Sequence, residues 1–278
     1  MTTRHEVSSE DGVTIAVEEA GPAQARPIVL LHGIAQSRAV WRSVLAGPLA
    51  DAYRLLAVDL RGHGDSSAPE GSDAYAKGER LGGDLRAVLD GLALERPIVL
   101  AWSYGGVVLG EYLRRYGAAS LGGVLCVAAA VKVGKPARAL FGPAMMDNAR
   151  ALMSEDAAVY EAGSRAFLAA CPAHPLGDAF VADGVREMLR APAHVRRALL
   201  TRSEDYSAEV AACTAPVATL HGAQDQVVLP RMSDEIAAMH PGMPHTRVPG
   251  VGHLPWLEAP PAFEVAVRVF VERVARRG

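Results

Sequence analysis

The sequence predicts an α/β protein: a doubly wound parallel sheet, interrupted in the second half of the chain by a helical insertion. Three observations carry this. Short, continuous apolar runs at 28–31, 55–60, 97–101 and 122–128 suit parallel strands buried on both faces. Segments at helical spacing alternate with them, Leu81, Leu85, Val88, Leu89 and Leu92 being the clearest, and that alternation is the signature of a parallel sheet. From about Lys132 to Cys213 the alternation stops and no strand pattern is visible.

In chain order, residues 13–18 alternate between two glycines, Gly12 and Gly21, and read as a strand. The run 28–31 ends in His32-Gly33-Ile34-Ala35, and residues 41–49 read as a short helix. The run 55–60 ends in Arg61-Gly62-His63-Gly64-Asp65-Ser66-Ser67. After the helix around Leu85 comes the strand 97–101, then a helix from Val107, then the strand 122–128. Helical patches follow at 138–153, 157–170, 180–189 and 194–200, punctuated by Pro172, Pro175 and Pro192. Strands resume at 216–220 and 246–248, and a helix over 261–276 closes the chain. The expected organisation is a core in two parts, 1–131 and 214–278, split by the insertion 132–213.

The densest signal is Ala101-Trp102-Ser103-Tyr104-Gly105-Gly106. A strand that becomes a helix within a few residues leaves no room for side chains beside the turn. Small residues two before and two after the serine, Ala101 and Gly105, meet that need. The serine is forced into a strained backbone conformation costing about 1–3 kcal/mol. Its hydroxyl stands clear of the sheet, beside a helix N-terminus that favours a negative oxygen. This is a nucleophile elbow, commonly G-x-S-x-G. It resembles that of the α/β-hydrolase family, with Ala101 in place of the first glycine.

A serine hydroxyl needs a base, and the base needs an orienting group. The resemblance implies the chain order serine, acid, histidine, each at the C-terminal end of a strand. Asp225 fits the acid: it lies just past a strand, after the glycine turn of His221-Gly222. The preceding strand end, 127–131, contains no acid. His253 fits the base, presented by the loop Pro249-Gly250-Val251-Gly252 with room for one helix and one strand after Asp225. His32, His63 and His221 also sit at strand ends and are expected to hold loops by hydrogen bonds.

Four ordered motifs carry the resemblance: His32-Gly33, the run from Asp59 to Ser66, the elbow, and the Asp225/His253 pair. They are similar to the serine-nucleophile esterase and haloperoxidase-like branch of the family, over nearly the whole chain outside the insertion. The resemblance implies an eight-stranded, mostly parallel sheet flanked by helices, with the insertion as a helical cap. It implies an oxyanion hole from the backbone N–H groups of Ile34 and Tyr104. It also implies cofactor-free acyl chemistry on a small-molecule ester. Cofactor-free haloperoxidases acting by perhydrolysis, lactonases and C–C bond hydrolases share these residues and stay open as alternatives. So does a hydrolase-fold ligand receptor with little turnover. Trp102 and Leu254, with Met145 and Met146 of the insertion, are the expected pocket lining for apolar acyl groups of short to medium length, methionine suiting an adaptable apolar surface.

Composition narrows the field further. Half of the 278 residues are hydrophobic, the net charge is −3 and the pI is about 6.3. That balance gives no electrostatic case for nucleic acid or an anionic membrane. Cys126, Cys171 and Cys213 are scattered, without a zinc spacing, and read as reduced thiols. No HExxH or clustered Cys/His suggests a metal. Gly62-His63-Gly64-Asp65-Ser66-Ser67 nearly matches a dinucleotide fingerprint, but the next residues, 68–72, cannot open the required helix. With no apolar h-region at the N-terminus and no run long enough to span a bilayer, the expectation is a cytoplasmic protein. Nothing in the sequence specifies an oligomeric state.

Overall fold

The continuous apolar runs form the parallel centre of one eight-stranded sheet. The chain's structure, a computed structural model, describes residues 2–276; Met1, Arg277 and Gly278, at the ends of the two expected core parts, lie outside them. The strands are β1 (Thr3–Ser8), β2 (Thr14–Ala20), β3 (Pro27–Leu31), β4 (Arg54–Val58), β5 (Ile98–Trp102), β6 (Gly123–Val127), β7 (Lys132–Val133), β8 (Glu204–Asp205), β9 (Val217–Gly222) and β10 (His245–Val248). The large sheet has the order β1-β2-β4-β3-β5-β6-β9-β10, and β7 pairs with β8 apart from it. The pairings from β4 through β10 are parallel, while β1–β2 and β2–β4 are antiparallel.

Every residue of β5, β6 and β9 is buried, as two-sided packing in a parallel sheet requires. Strand β1 is the opposite case. Its sequence TRHEVS is mostly exposed, because an edge strand buries little of itself, and so it carries no apolar run to read. The run 55–60 is shorter as a strand than it is as an apolar pattern. Asp59 and Leu60 leave the sheet, and the Asp59 carboxylate turns to accept the N–H groups of Arg38 (2.6 Å) and Asp65 (2.8 Å).

The helices are α1 (Arg42–Leu45), α2 (Asp73–Ala76), α3 (Gly78–Gly91), α4 (Gly105–Tyr116), α5 (Pro143–Leu152), α6 (Ala157–Ala170), α7 (Asp178–Leu189), α8 (Ala193–Leu200), α9 (Ser207–Ala211), α10 (Arg231–Met239), α11 (Pro255–Glu258) and α12 (Pro260–Ala275). Where residues 41–49 predict one helix, a 3-10 turn at Arg38–Trp41 leads into the single turn of α1. Pro48 cannot follow a helical residue comfortably and stops it.

Helices α5 to α8 lie between β6 and β9 in the chain. Proline at the first position opens α5, and Asp156 caps α6 by accepting from Ala158 and Val159 N–H. In this stretch α5 packs on α6 and α6 on α7. The two-residue strands β7 and β8 pair antiparallel, Lys132 opposite Asp205 and Val133 opposite Glu204, so the start and the end of the excursion meet at one neck.

Candidate active site

Strand β5 delivers Ser103 to the C-terminal edge of the sheet, and α4 begins two residues later. The backbone of Ser103 is left-handed, with φ +53°, a region that costs a non-glycine residue free energy. Its surroundings hold it there: Ser103 N–H donates to Val127 O (3.3 Å) and Ala130 N–H donates to Ser103 O (2.9 Å). A Cβ at Gly105 would lie 2.9 Å from Leu31 Cβ and 3.0 Å from Leu31 O, so no larger residue fits without moving β3. The serine is 7% exposed, and what is exposed of it faces a cavity.

Asp225 and His253 meet after β9 and β10. Asp225 Oδ2 accepts from His253 Nδ1 at 2.7 Å and from His221 Nε2 at 2.9 Å. Its Oδ1 accepts from Val227 N–H (2.8 Å) and Val228 N–H (3.2 Å). Burial pushes this carboxyl up, but the two histidines and their hydrogen bonds outweigh it and hold the pKa down at about 2. An ionised carboxylate only accepts, so the ring proton of His253 sits on Nδ1. That leaves Nε2 with its lone pair. His253 Nε2 is buried and has no hydrogen-bond partner among the described residues.

The backbone around His253 is fixed from three directions. Its N–H donates to Cys171 O at the end of α6 (2.8 Å). Its carbonyl accepts from Trp102 Nε1 (2.9 Å). The flanking N–H groups of Gly252 (2.8 Å) and Leu254 (2.9 Å) both donate to the Glu258 carboxylate, which also accepts from Ala173 N–H (2.7 Å). Behind the loop, Trp102 and Trp256 meet edge to face with centroids 4.8 Å apart, and Trp41 lies 4.4 Å from Trp256.

The loop after β3 passes close to the serine: a Cβ at Gly33 would lie 3.0 Å from Ser103 Cβ. Two buried histidines hold this loop. His32 Nδ1 donates to Gly33 O (2.7 Å) and its Nε2 accepts Leu60 N–H (3.0 Å). His63 Nδ1 donates to Arg61 O (2.9 Å) and its Nε2 accepts Ala35 N–H (3.1 Å). Between these anchored residues, Ile34 N–H donates to no acceptor among the described residues, and neither does Tyr104 N–H.

Ser103, His253, Gly33 and Ile34 border one cavity of about 240 Å³. Trp102 and Leu254 line it. Met145 and Met146 do not. The reason is the seat of α5: Gly142 and Ala144 N–H donate to Val227 O and Gln226 O, beyond the acid loop, which turns Met146 to solvent at 45% exposure. The apolar wall comes instead from α6 and α7, as Phe167, Leu168 and Phe180. Asp183 and Glu187 of α7 and the exposed Arg42 also border it. The Tyr104 side chain points away, its hydroxyl donating to Leu199 O (3.2 Å).

Several of these contacts have no local signature in the sequence. Glu258 and the Cys171 carbonyl act on backbone N–H groups and leave no motif. His221 does leave one, a histidine four residues before Asp225 across a glycine turn. Among the described residues, no group of three or more His, Cys, Asp or Glu is placed to hold a metal ion, and no helix is long and apolar enough to cross a membrane.

A family model described as "Alpha/beta hydrolase family" matches residues 28–266. The solved esterase RhEst1 from Rhodococcus sp. ECU1013 is similar over 98% of this chain and 99% of its own, with TM-score 0.91 and 33% identity. The AB hydrolase superfamily protein YisY of Bacillus subtilis is 28% identical over 240 residues, 80% of this chain and 82% of YisY. The Probable oxidoreductase EphD of Mycobacterium tuberculosis is 40% identical over 113 residues, 40% of this chain but only 19% of EphD's length.

Proposed function

The chain belongs to the alpha/beta hydrolase family, and from that premise we propose that it is a serine hydrolase of carboxylic esters. Ser103 is the nucleophile, His253 the general base and Asp225 the group that orients and charges the imidazole. Ser103 Oγ attacks the acyl carbon and its proton passes to His253 Nε2. The carbonyl electron pair becomes an oxyanion, which accepts from the N–H groups of Ile34 and Tyr104. Collapse expels the alcohol, which takes the proton from His253, and an acyl-serine remains. Water then repeats the sequence in reverse roles and releases the acid.

One observation carries this reading. Of the polar atoms on the cavity wall, His253 Nε2 is buried, unpartnered and backed by an ionised carboxylate. A buried acceptor left without a donor costs about 1–3 kcal/mol, which a base awaiting a hydroxyl proton explains. The two free N–H groups beside Ser103 are the matching donors.

The walls Phe167, Leu168, Phe180 and Leu254 favour small to medium apolar acyl groups in a cavity of about 240 Å³. In this reading residues 132–213 form a cap over the core parts 1–131 and 214–278. The test is hydrolysis of p-nitrophenyl esters combined with labelling by a p-nitrophenyl phosphonate. One adduct, on Ser103, with loss of turnover is expected. An adduct on another residue, or no turnover of any ester, overturns the assignment.

A further inference from the structure

Ala35, the residue after the oxyanion donor Ile34, is strained. Its φ is +54°, a left-handed conformation that an alanine keeps only where its surroundings over-determine it. The contacts that hold Ala35 therefore also decide where the Ile34 N–H points.

Most of those contacts come from the core. Gly33 O accepts from His32 Nδ1 and from Gln36 N–H (3.3 Å), and Ala35 N–H donates to His63 Nε2. Asp59 accepts Arg38 N–H where the loop enters the 3-10 turn. One contact comes from 150 residues away. Ser37, 1% exposed, donates its hydroxyl to the Glu187 carboxylate at 2.6 Å and accepts Ala39 N–H at 3.2 Å. A carboxylate acceptor makes such a bond shorter and stronger than a neutral one.

Glu187 lies on α7, which packs on α6 and lends Phe180 and Gly184 to the cavity wall. Arg190 donates to Glu187 at 3.1 Å and also pairs with Asp65, which pairs with Arg38. The circuit Ser37–Glu187–Arg190–Asp65–Arg38 thus closes on the neighbour of Ser37. Its rungs are unequal. Arg190 and Asp65 are both largely solvated, where an ion pair contributes little. The bond from buried Ser37 to Glu187 is the one that holds the loop.

We propose that Glu187 is a positioning residue for the oxyanion hole: by accepting the Ser37 hydroxyl it fixes the far end of loop 33–37 and so aims the Ile34 N–H at the oxyanion. This rests on the ester-hydrolase reading of the same site. The helix that walls the acyl pocket and the loop that stabilises the transition state are then one mechanical unit. A substrate that displaces α7 loses rate as well as affinity.

The test compares p-nitrophenyl butyrate with its thiono analogue, in which sulfur replaces the carbonyl oxygen. Sulfur accepts hydrogen bonds poorly, so a well-aimed oxyanion hole prefers the oxygen ester. The ratio of kcat/KM, oxygen over sulfur, is measured in the wild type, Glu187→Ala, Ser37→Ala, the double variant and Glu187→Gln. Dividing the wild-type ratio by the variant ratio cancels intrinsic reactivity and any loss of folded enzyme. A merely structural role slows both esters alike and leaves that double ratio at one. A double ratio of roughly five- to tenfold is expected in each alanine variant, the range of one hydrogen bond, with no further change when the two are combined. Glu187→Gln keeps an acceptor oxygen for Ser37 and should keep most of the wild-type preference. A double ratio of one in Glu187→Ala, additive effects in the double variant, or a Glu187→Gln as impaired as Glu187→Ala overturns the proposal. If the buried change Ser37→Ala prevents folding, the two Glu187 variants decide it. Turnover that survives Ser103→Ala, or a wild type indifferent to the sulfur, overturns the site assignment and the Glu187 proposal with it. Serine-dependent, oxygen-preferring turnover with an unchanged double ratio overturns only the role of Glu187.

Discussion

Acidification from pH 7 to pH 5 should weaken the fold through two rings that are not proposed to do chemistry. His32 and His63 are buried side by side, centroids 5.1 Å apart, and each uses Nε2 to accept a backbone N–H. A protonated ring cannot accept, so protonation would break both loop contacts. Burial pushes the pKa of His32 down to about 4. Burial and then the neighbouring His32 push that of His63 down to about 3. The unfolded chain titrates them near ~6.5. Between pH ~6.5 and ~4 the unfolded state therefore binds more protons than the folded one, and stability falls as pH falls. Each ring accounts for roughly 2 kcal/mol between pH 7 and 5, about 4 kcal/mol for the pair. Urea unfolding at pH 7, 6 and 5 measures this in the wild type and in His63→Gln. The variant starts from lower stability but should lose about 2 kcal/mol less than the wild type across that interval. Parallel pH dependences would refute the argument, since the ring would then titrate alike in both states.

Replacing Ser103 by glycine should abolish turnover and raise stability by about 1 kcal/mol, because glycine adopts φ +53° without strain; calorimetry showing an unchanged or lower Tm would contradict the strain argument. Asp225→Asn should lower kcat by roughly 10⁴ by inverting the imidazole tautomer, and a near-normal rate would place the acid elsewhere. Across p-nitrophenyl esters from acetate upward, kcat/KM should rise about fourfold per carbon, from ~0.8 kcal/mol per buried methylene, until the cavity is full. Phe167→Ala should move that optimum to longer chains and Met146→Ala should not. A flat profile, or equal shifts in the two variants, would show that α6 does not bound the acyl site.

How much of this could be read from the sequence depends on what each feature must satisfy. Strands such as β5 and β6 are buried on both faces, and their unbroken apolar runs advertise it. Strand β1 has one partner and an exposed face, so TRHEVS carries no such run. The pairing of β7 with β8 involves two residues on each side, too few for any periodicity. The turn at Ser103 is legible because sterics leave only small residues at Ala101 and Gly105. The positions of Asp225 and His253 are legible because both follow strands whose ends must converge. The pocket wall is different in kind. Counting methionines marks an apolar region but not which helix faces the serine, and that is fixed by where α5 hydrogen-bonds to the Gln226–Val227 backbone. Glu258 escapes for a related reason: a single carboxylate acquires meaning only from what surrounds it in space.

The hydrogen bond from His253 N–H to the Cys171 carbonyl bears on protein engineering. The helices between β6 and β9 look like a detachable unit that could be exchanged with another protein's to alter selectivity. Yet the end of α6 supplies the acceptor for the histidine's own amide, and Ala173 N–H shares Glu258 with the residues on either side of it. A chimera that lacks a carbonyl at that height would leave a buried donor orphaned next to the imidazole, at about 1–3 kcal/mol. Its penalty would fall on ring placement before it fell on substrate choice. A transplanted segment should therefore be joined after Ala173 rather than before Cys171, so that the recipient keeps its own carbonyl.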